Sequence, residues 1–354
     1  MVSNSLPLRK SGNPIVCVLL AIWNILVGIV MFFVPNFVRP KKSVKDQNIL
    51  ITGGGSGIGQ LMAIKFSELG ANVIIWDINT DGMTKTVRMI KEAGCDVSKV
   101  KTFAVNLSKR EQIYDTAKRT IDEVGSIDIL INNAGVVSGS PFLDIPDQKI
   151  QLTFDVNTLA HFWILKKFLP DMIKRNEGHI VTVASVAGNM AGCNMSDYHS
   201  SKFANVGFDL SLRMEIAQAN KTGIKTSIVK PYFITTGMFA GVNPGVIPYL
   251  SPEYVSEKII EGILVEQEEI IIPYWFTFLF SFVTMVPARA MPALLDLMGG
   301  FEFMSHFEGR DAQSTKLSKV KTSLDSKNEI NNNDTQIRLK NDLNNNNNSD
   351  KKIN

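Results

Sequence analysis

A tyrosine and a lysine, Tyr198 and Lys202, stand four residues apart in the sequence DYHSSKFANVGF. On a helix this spacing places both side chains on one face, so that an ammonium group lies beside a phenol. Because a free tyrosine has a pKa of about 10, a neighbouring positive charge must lower that pKa before the phenol serves as a base near neutral pH. The pair predicts general acid/base chemistry, although the same spacing also occurs by chance on solvated helix faces.

Other polar residues are predicted to meet this pair at the ends of strands. Ser185 follows the strand HIVTVA, and Asn133, Ala134 and Gly135 follow the strand IDILIN. Open α/β folds bind their ligands at the carboxyl edge of the sheet. We expect the Ser185 hydroxyl to hold a substrate oxygen at this edge, and Asn157, on the following long helix, to converge on the same crevice.

A glycine-rich segment, TGGGSGIG, connects the first strand to a helix. Its glycines allow a tight turn and a close approach of the backbone to a pyrophosphate, while the helix N-terminus offers free N–H groups and a positive dipole end. The spacing is TGxxxGxG and cannot be read as GxGxxG. It predicts a dinucleotide site, and a flexible loop is the alternative. The predicted contacts are Gly53, Ser56, Gly57, Ile58 and Gly59.

Asp77 ends the second strand. A carboxylate at this position accepts hydrogen bonds from the adenosine ribose and repels a 2'-phosphate. Neither the glycine loop nor Ile78 supplies an Arg or Lys that would hold this phosphate. The sequence therefore predicts NAD in preference to NADP. The alternative is that Asp77 caps the helix beginning near Asn79.

The elements that must position these residues lie between residues 48 and 272. Short β-branched runs alternate there with amphipathic stretches such as 58–69 and 148–174. The strand candidates are NILIT, NVIIW, VKTFAV, IDILIN, HIVTVA, IKTSIV and EIIIP. This order predicts an α/β fold, with a Rossmann-type doubly wound parallel sheet of seven strands and an N-terminal membrane helix.

The membrane helix is predicted from an apolar run at residues 14–35, which has the roughly 20 residues needed to cross a bilayer. A cleaved signal peptide is the alternative, but the run is long for one and no small-residue cleavage site follows. Basic residues after the run modestly favour a cytosolic catalytic domain. They are Arg39, Lys41, Lys42 and Lys45.

Composition divides the chain into four parts. We predict an anchor with a basic flank at 1–46, a dinucleotide-binding domain at 47–272, an apolar segment at 273–307 and an Asn-rich tail at 308–354. The apolar segment either lies on a membrane or completes the domain as a helix or dimer contact. The tail is predicted to be disordered.

Composition also excludes several classes of protein. A formal net charge of +3 is too small to suggest a nucleic-acid-binding protein. Cys17, Cys95 and Cys193 are far apart and lack metal-ligand spacing, so we expect neither disulfides nor a metal site. Reduced cysteines suit a domain that faces the cytosol.

The motifs TGGGSGIG, NNAG, YHSSK and PYFITT, with Asn157 and Ser185, together resemble the short-chain dehydrogenase/reductase family over residues 48–272. The segments WDIN, FDVNTLAHFW and GHIVTVASVAG are most similar to the membrane-bound retinol and 17-beta-hydroxysteroid dehydrogenase branch, found on the endoplasmic reticulum and lipid droplets. The resemblance implies an NAD-dependent enzyme that interconverts an alcohol and its carbonyl at the same kind of membrane.

The resemblance also implies a role for each residue of the site. Tyr198 would be the general acid/base, Lys202 would lower its pKa and bind the nicotinamide ribose, and Ser185 would steady the substrate oxygen. Asn157 would complete a water-linked proton path, and Thr236 would contact the nicotinamide amide.

Two positions depart from the family pattern. Asn106 stands where the family has an aspartate near adenine, and Pro231-Tyr232 replaces a Pro-Gly pair after the sixth strand, which would narrow the substrate side. The cofactor contacts implied in this last segment are Pro231 and Ile234. A homodimer through the long helices is also expected.

An enzyme tied to lipid suits an apolar alcohol, such as a retinoid, a steroid or a long-chain alcohol. The candidate pocket residues are Met190, Met195, Phe233, Met238 and Phe239. Ordinary core packing is the alternative for them. The rival function is a non-catalytic NAD-binding scaffold on a lipid surface.

Overall fold

A computed structural model describes residues 14–309 of the chain. Its strands form one sheet in the order β3-β2-β1-β4-β5-β6-β7, with every neighbouring pair parallel. The strands are β1 Asn48–Thr52, β2 Asn72–Asp77, β3 Val100–Ala104, β4 Ile129–Asn132, β5 Gly178–Val183, β6 Ile224–Pro231 and β7 Glu269–Ile272. The predicted seven-stranded, doubly wound parallel sheet is confirmed. The tail predicted to be disordered lies outside the described residues from 310 onward.

Helices connect the strands and flank the sheet in the described part of the chain. They are α1 Pro14–Phe33, α2 Gly57–Glu68, α3 Thr80–Glu92, α4 Arg110–Val124, α5 Asp147–Phe154, α6 Ala160–Arg175, α7 Ser196–Gln218, α8 Pro252–Leu264, α9 Phe276–Val283 and α10 Met291–Leu297. Where the sequence predicted one helix over 148–174, a π-helical turn at Asp155–Leu159 separates α5 from α6.

The sheet is apolar on both faces because helices cover both. Alternate side chains of a strand point to opposite faces. Ile49 and Ile51 therefore join a core with residues of α2, α3 and α8, whereas Leu50 joins the opposite core with residues of α4, α6 and α7. Burial on both sides explains why the strands read as continuous apolar runs.

The N-terminal helix α1 is long and apolar enough to cross a membrane, and no residue in it is buried against the domain. A signal sequence near the N-terminus would meet the same criteria of length and composition. The end of α1 is fixed to the domain, since the Tyr274 hydroxyl donates to the Phe32 carbonyl at 3.0 Å and the Asn36 amide donates to the Gln267 side chain at 2.9 Å.

The apolar segment after β7 has two different faces. Phe276 is fully buried and packs with Phe280 and Tyr232 in a small core beside β7. Phe278 is 62% exposed and lies against Phe32 of α1, with ring centroids 5.5 Å apart. One face thus completes the domain, and the other leaves an apolar surface beside α1. Contact of this surface with a membrane stays a prediction.

The long helix α7 also exposes apolar side chains on its outer face. These are Phe203, Leu210 and Met214. Such a surface suits the homodimer expected from the sequence, and the association itself stays a prediction.

Candidate active site

The glycine-rich loop packs too closely for side chains. Gly53 and Gly57 have φ of +70° and +56°, in the left-handed region. A Cβ on Gly59 would lie 2.2 Å from the Gly53 carbonyl oxygen and 2.6 Å from the Asn133 amide nitrogen. Because Gly59 has no Cβ, α2 begins in direct contact with the loop. Ser56, the residue that caps α2, makes no side-chain hydrogen bond to the N-terminus of the helix. The N-terminus of α2 therefore faces the crevice, as an anion site requires.

Asp77 anchors the glycine loop to the end of β2. Its carboxylate accepts hydrogen bonds from the Gly55 N–H and the Asn79 N–H, each at 2.9 Å. The cap of α3 is Asn79, whose side chain accepts from the Gly82 N–H. The alternative that Asp77 caps this helix is therefore wrong. Asp77 remains half-buried at the rim of the crevice beside the exposed Ile78.

A cavity of about 450 Å³ runs along the carboxyl edge of the sheet. Lys202 is the only Lys or Arg among the described residues that line it. Every sequence-predicted cofactor residue lines this cavity, and so does Ser185. They are Gly53, Ser56, Gly57, Ile58, Gly59, Asp77, Asn106, Asn133, Ala134, Gly135, Tyr198, Lys202, Pro231, Ile234 and Thr236. The chain has thus brought together residues that span 184 positions of sequence, from 53 to 236.

Asn133 and Asn106 each make a local contact that shapes the cavity. The Asn133 amide donates to the Thr52 carbonyl at 2.9 Å, which ties the end of β4 to the end of β1. The Asn106 side chain accepts from the backbone N–H and the hydroxyl of Ser108, at 3.0 and 2.8 Å. The side-chain oxygen of Asn106 therefore stabilises the turn that precedes α4.

Asn157 lies behind the cavity and does not line it. Its side-chain oxygen accepts from the Val136 N–H at 2.8 Å, and its nitrogen donates to the Val136 carbonyl at 2.9 Å and to the Ser201 hydroxyl at 3.0 Å. These bonds fix the strand end after β4 against α7. A π-helical turn, a feature that is frequent at functional sites, presents the residue. The water-linked proton path remains a prediction.

Tyr198 and Lys202 lie on one face of α7, as the spacing predicted, and both are almost completely buried. The Lys202 ammonium donates to the Val183 carbonyl at 2.9 Å and lies 5.6 Å from the centroid of the Tyr198 ring. Ser185 follows β5 in the same wall, where its oxygen accepts from the Ala187 N–H at 3.1 Å. All three side chains therefore line the same cavity.

Burial opposes ionisation of both groups. It raises the pKa of Tyr198 to about 12, against a smaller lowering by the Ser185 hydroxyl, and it lowers the pKa of Lys202 to about 8. The sequence predicted a lowered Tyr198 pKa, and the structure gives the opposite direction because desolvation is the larger effect. At neutral pH this phenol is a proton donor, and it becomes a base only when further positive charge lies beside it.

A second cavity, the apolar chamber, adjoins the first at Ser185 and Tyr198. It includes four of the five predicted pocket residues, namely Met190, Met195, Phe233 and Phe239, whereas Met238 lines the first cavity. Sequence reasoning missed the residues of the chamber wall that come from the C-terminal segment and from α7. They are Leu295, Met298, Phe303 and His199. No local pattern signals Leu295, Met298 and Phe303, because they meet the site only through tertiary packing. His199 was missed although it directly follows Tyr198 on α7.

Comparison with known proteins fits this geometry. A family model described as short chain dehydrogenase matches residues 47–246. Epidermal retinol dehydrogenase 2 of Mus musculus is 41% identical over 275 residues, which are 77% of this chain and 88% of that protein. Estradiol 17-beta-dehydrogenase 11 of Homo sapiens is 43% identical over 269 residues, 76% of this chain and 88% of that protein. The chain therefore belongs to the short-chain dehydrogenase family, and its resemblance to the retinol and steroid branch is confirmed.

Solved structures share the fold. A short chain dehydrogenase/reductase from Burkholderia phymatum in complex with NAD has a TM-score of 0.61 at 24% identity, covering 68% of this chain and 93% of that one. A metagenomic short-chain oxidoreductase in complex with NADP has a TM-score of 0.55 at 25% identity, covering 65% of this chain and 98% of that one.

Replacing Gly59 tests the close contact in the loop. Gly59→Ala should weaken NADH binding at least about tenfold, because the new methyl group displaces either the Gly53 carbonyl or the start of α2. Titration of NADH fluorescence measures this affinity. The matched control is Gly207→Ala on α7, where an added Cβ meets no atom within 4 Å. Equal affinity in both variants would contradict the assignment of the loop.

Proposed function

We propose that this protein uses NAD(H) to interconvert a hydrophobic alcohol and its carbonyl. The observation that carries the proposal is the position of Ser185 and Tyr198, which line both the cavity along the sheet edge and the apolar chamber. A ligand group at this junction is within reach of both side chains. A polar cofactor on one side and an apolar substrate on the other would meet there.

The residues of the larger cavity fit a dinucleotide. The N-terminus of α2 and the close-packed Gly59 would hold the pyrophosphate, Asp77 would accept hydrogen bonds from the adenosine ribose, and Lys202 and Thr236 would contact the nicotinamide half. When bound, the nicotinamide supplies or accepts the hydride. Asp77, with no Arg or Lys near it in the described lining, supports NAD over NADP.

The protein's own residues control the proton and the position of the substrate oxygen. Tyr198 donates its phenolic proton to the oxygen during reduction and takes the proton back during oxidation. The Ser185 hydroxyl accepts from the Ala187 N–H at 3.1 Å and donates to the Pro231 carbonyl at 3.4 Å. In the proposed function it exchanges this long bond to Pro231 for a hydrogen bond to the substrate oxygen. The Lys202 ammonium favours the phenolate form of Tyr198.

Removal of the phenolic hydroxyl separates catalysis from cofactor binding. Tyr198→Phe should lower kcat about a thousandfold, since it deletes the proton donor, while NADH affinity stays within about twofold. NADH production is measured in detergent with a retinoid, a steroid and a long-chain alcohol. The control is Tyr254→Phe, at an exposed tyrosine of α8. Turnover that is equally weak in wild type and Tyr198→Phe, with NADH still bound, would favour the non-catalytic scaffold.

The choice of cofactor depends on the charge of Asp77. Asp77→Ala should shift the ratio of kcat/KM for NAD over that for NADP about tenfold toward NADP, because the repulsion of the 2'-phosphate is lost. The ratio is informative even though Asp77 also holds the glycine loop, since disturbance of the loop affects both cofactors alike. Asp81→Ala, on the exposed first turn of α3, is the control. An unchanged ratio would place the ribose contact elsewhere.

We also infer that the chain sits on an endoplasmic reticulum or lipid-droplet membrane with its catalytic domain in the cytosol. The apolar α1 supports an anchor. The exposed face of α9, with Trp275 and Phe278, lies beside the end of α1 and supports a second contact with lipid. Aromatic side chains of this kind favour the boundary between lipid and water.

Tryptophan quenching tests both membrane contacts in the full chain. In vesicles with brominated acyl chains, fluorescence from Trp23 of α1 and from Trp275 should be quenched, whereas Trp76 is buried in the core. Trp23→Phe and Trp275→Phe should each remove part of the quenching, and the double variant should remove most of it. Quenching that depends on Trp23 alone would refute lipid contact at α9, and quenching that depends on neither would refute the anchor.

A further inference from the structure

The apolar chamber contains one histidine whose second nitrogen has no partner. His199 is 8% exposed, directly follows Tyr198 on α7 and lines the chamber. Its Nδ1 lies 3.0 Å from the Ala187 carbonyl oxygen. Its Nε2 is buried and makes no hydrogen bond with any described residue.

The Ala187 carbonyl fixes which ring nitrogen carries the proton. A carbonyl oxygen can only accept, so Nδ1 must be the donor, and in a neutral ring Nε2 is then an acceptor with a free lone pair. Burial lowers the pKa of His199, and this effect outweighs the carbonyls of Ala187 and Met190 and the charge of Asp197, which raise it. The ring is therefore neutral at neutral pH.

The other polar side chains of the chamber have another partner or another proposed role. Ser185 and Tyr198 face the reacting oxygen in the proposed function, and the Tyr232 hydroxyl donates to the Pro244 carbonyl at 2.7 Å. Among the described lining residues, His199 Nε2 is the buried side-chain nitrogen that makes no hydrogen bond. An acceptor buried among apolar side chains costs free energy unless a donor reaches it.

The space beside Nε2 is kept open by a glycine. A Cβ placed on Gly192 would lie 3.2 Å from Nε2, so any side chain at this position would press on the nitrogen. The chamber holds about 40 Å³, which is room for a few non-hydrogen atoms, such as the hydroxyl-bearing end of a hydrocarbon chain. A donor at the end of such a chain can reach the open space.

We propose that His199 Nε2 accepts a hydrogen bond from a second hydroxyl group of the substrate. The preferred substrates are then chain-like hydrophobic alcohols that carry a hydroxyl group remote from the reacting carbon. The inference rests on the proposed function and adds a specificity-determining residue to it. His199 holds the far end of the substrate while Tyr198 and Ser185 hold the reacting oxygen.

Matched alcohols test the hydrogen bond directly. Linear α,ω-diols of increasing length are compared with ω-fluoro alcohols of the same length, which match the hydroxyl in size but lack its proton. With NAD in detergent, wild type should show a higher kcat/KM for the diol at one chain length, after correction for its two equivalent ends. His199→Phe should lower this diol preference about fivefold, as expected for one hydrogen bond.

Gly192→Ala is the second variant, because it presses on Nε2 while leaving the imidazole and its bond to Ala187 in place. It should lower the diol preference as well, and the control Gly207→Ala should not. A diol preference that is absent in wild type, or unchanged in both chamber variants, would overturn the proposal and leave Nε2 to a bound water.

A binding measurement keeps this inference separate from the proposed function. In the presence of NADH, the diol should raise the Tm of wild type more than the fluoro alcohol does, and His199→Phe should abolish this difference. If this pattern appears without turnover of any alcohol, the proposed oxidoreduction fails and the His199 contact stands. If turnover occurs with no such pattern, the His199 contact fails and the oxidoreduction stands.

Discussion

The chemistry of this protein depends on the hydrogen bonds between parallel strands that bring the ends of β1, β4, β5 and β6 to one edge of the sheet. The pairing of Ile51 with Ile131 and of Val183 with Val229 sets this register. A slip by one residue would turn each side chain to the opposite face and carry Ser185 away from Tyr198. The contact of Asn133 with Thr52 holds the β1 and β4 ends together at the point where the strand order reverses.

Burial of Tyr198 and Lys202 orders the two side chains but disfavours the charged form of each. It holds Tyr198 and Lys202 in one geometry, but it also raises the pKa of the phenol and lowers the pKa of the amine. The Val183 carbonyl stabilises the ammonium form of Lys202 by accepting its hydrogen bond. A solvated pair on a helix surface would ionise normally and would hold no substrate. Burial thus orients the two side chains while it makes the charged form of each less favourable.

The segment after β7 connects the apolar surface beside α1 to the apolar chamber. Phe278 points outward beside α1, Phe276 packs into the domain, and Leu295 and Met298 reach the apolar chamber from the same segment. In the proposed function, an apolar substrate leaving the lipid would meet this segment before it meets Tyr198. The same segment therefore supplies both the apolar surface beside α1 and part of the chamber wall.

The sequence by itself determined the seven strands, the glycine loop, Asp77 and the Ser-Tyr-Lys set, because each is a local pattern of apolar alternation, conformational freedom or helical spacing. It could not decide whether Asp77 caps a helix or anchors the loop, nor the direction of the Tyr198 pKa, since both depend on contacts and burial contributed by distant residues. Only the tertiary structure brought Leu295, Met298 and Phe303 to the chamber and left His199 Nε2 without a partner there. Such contacts join residues about a hundred positions apart, and packing of the whole chain, not local propensity, selects them.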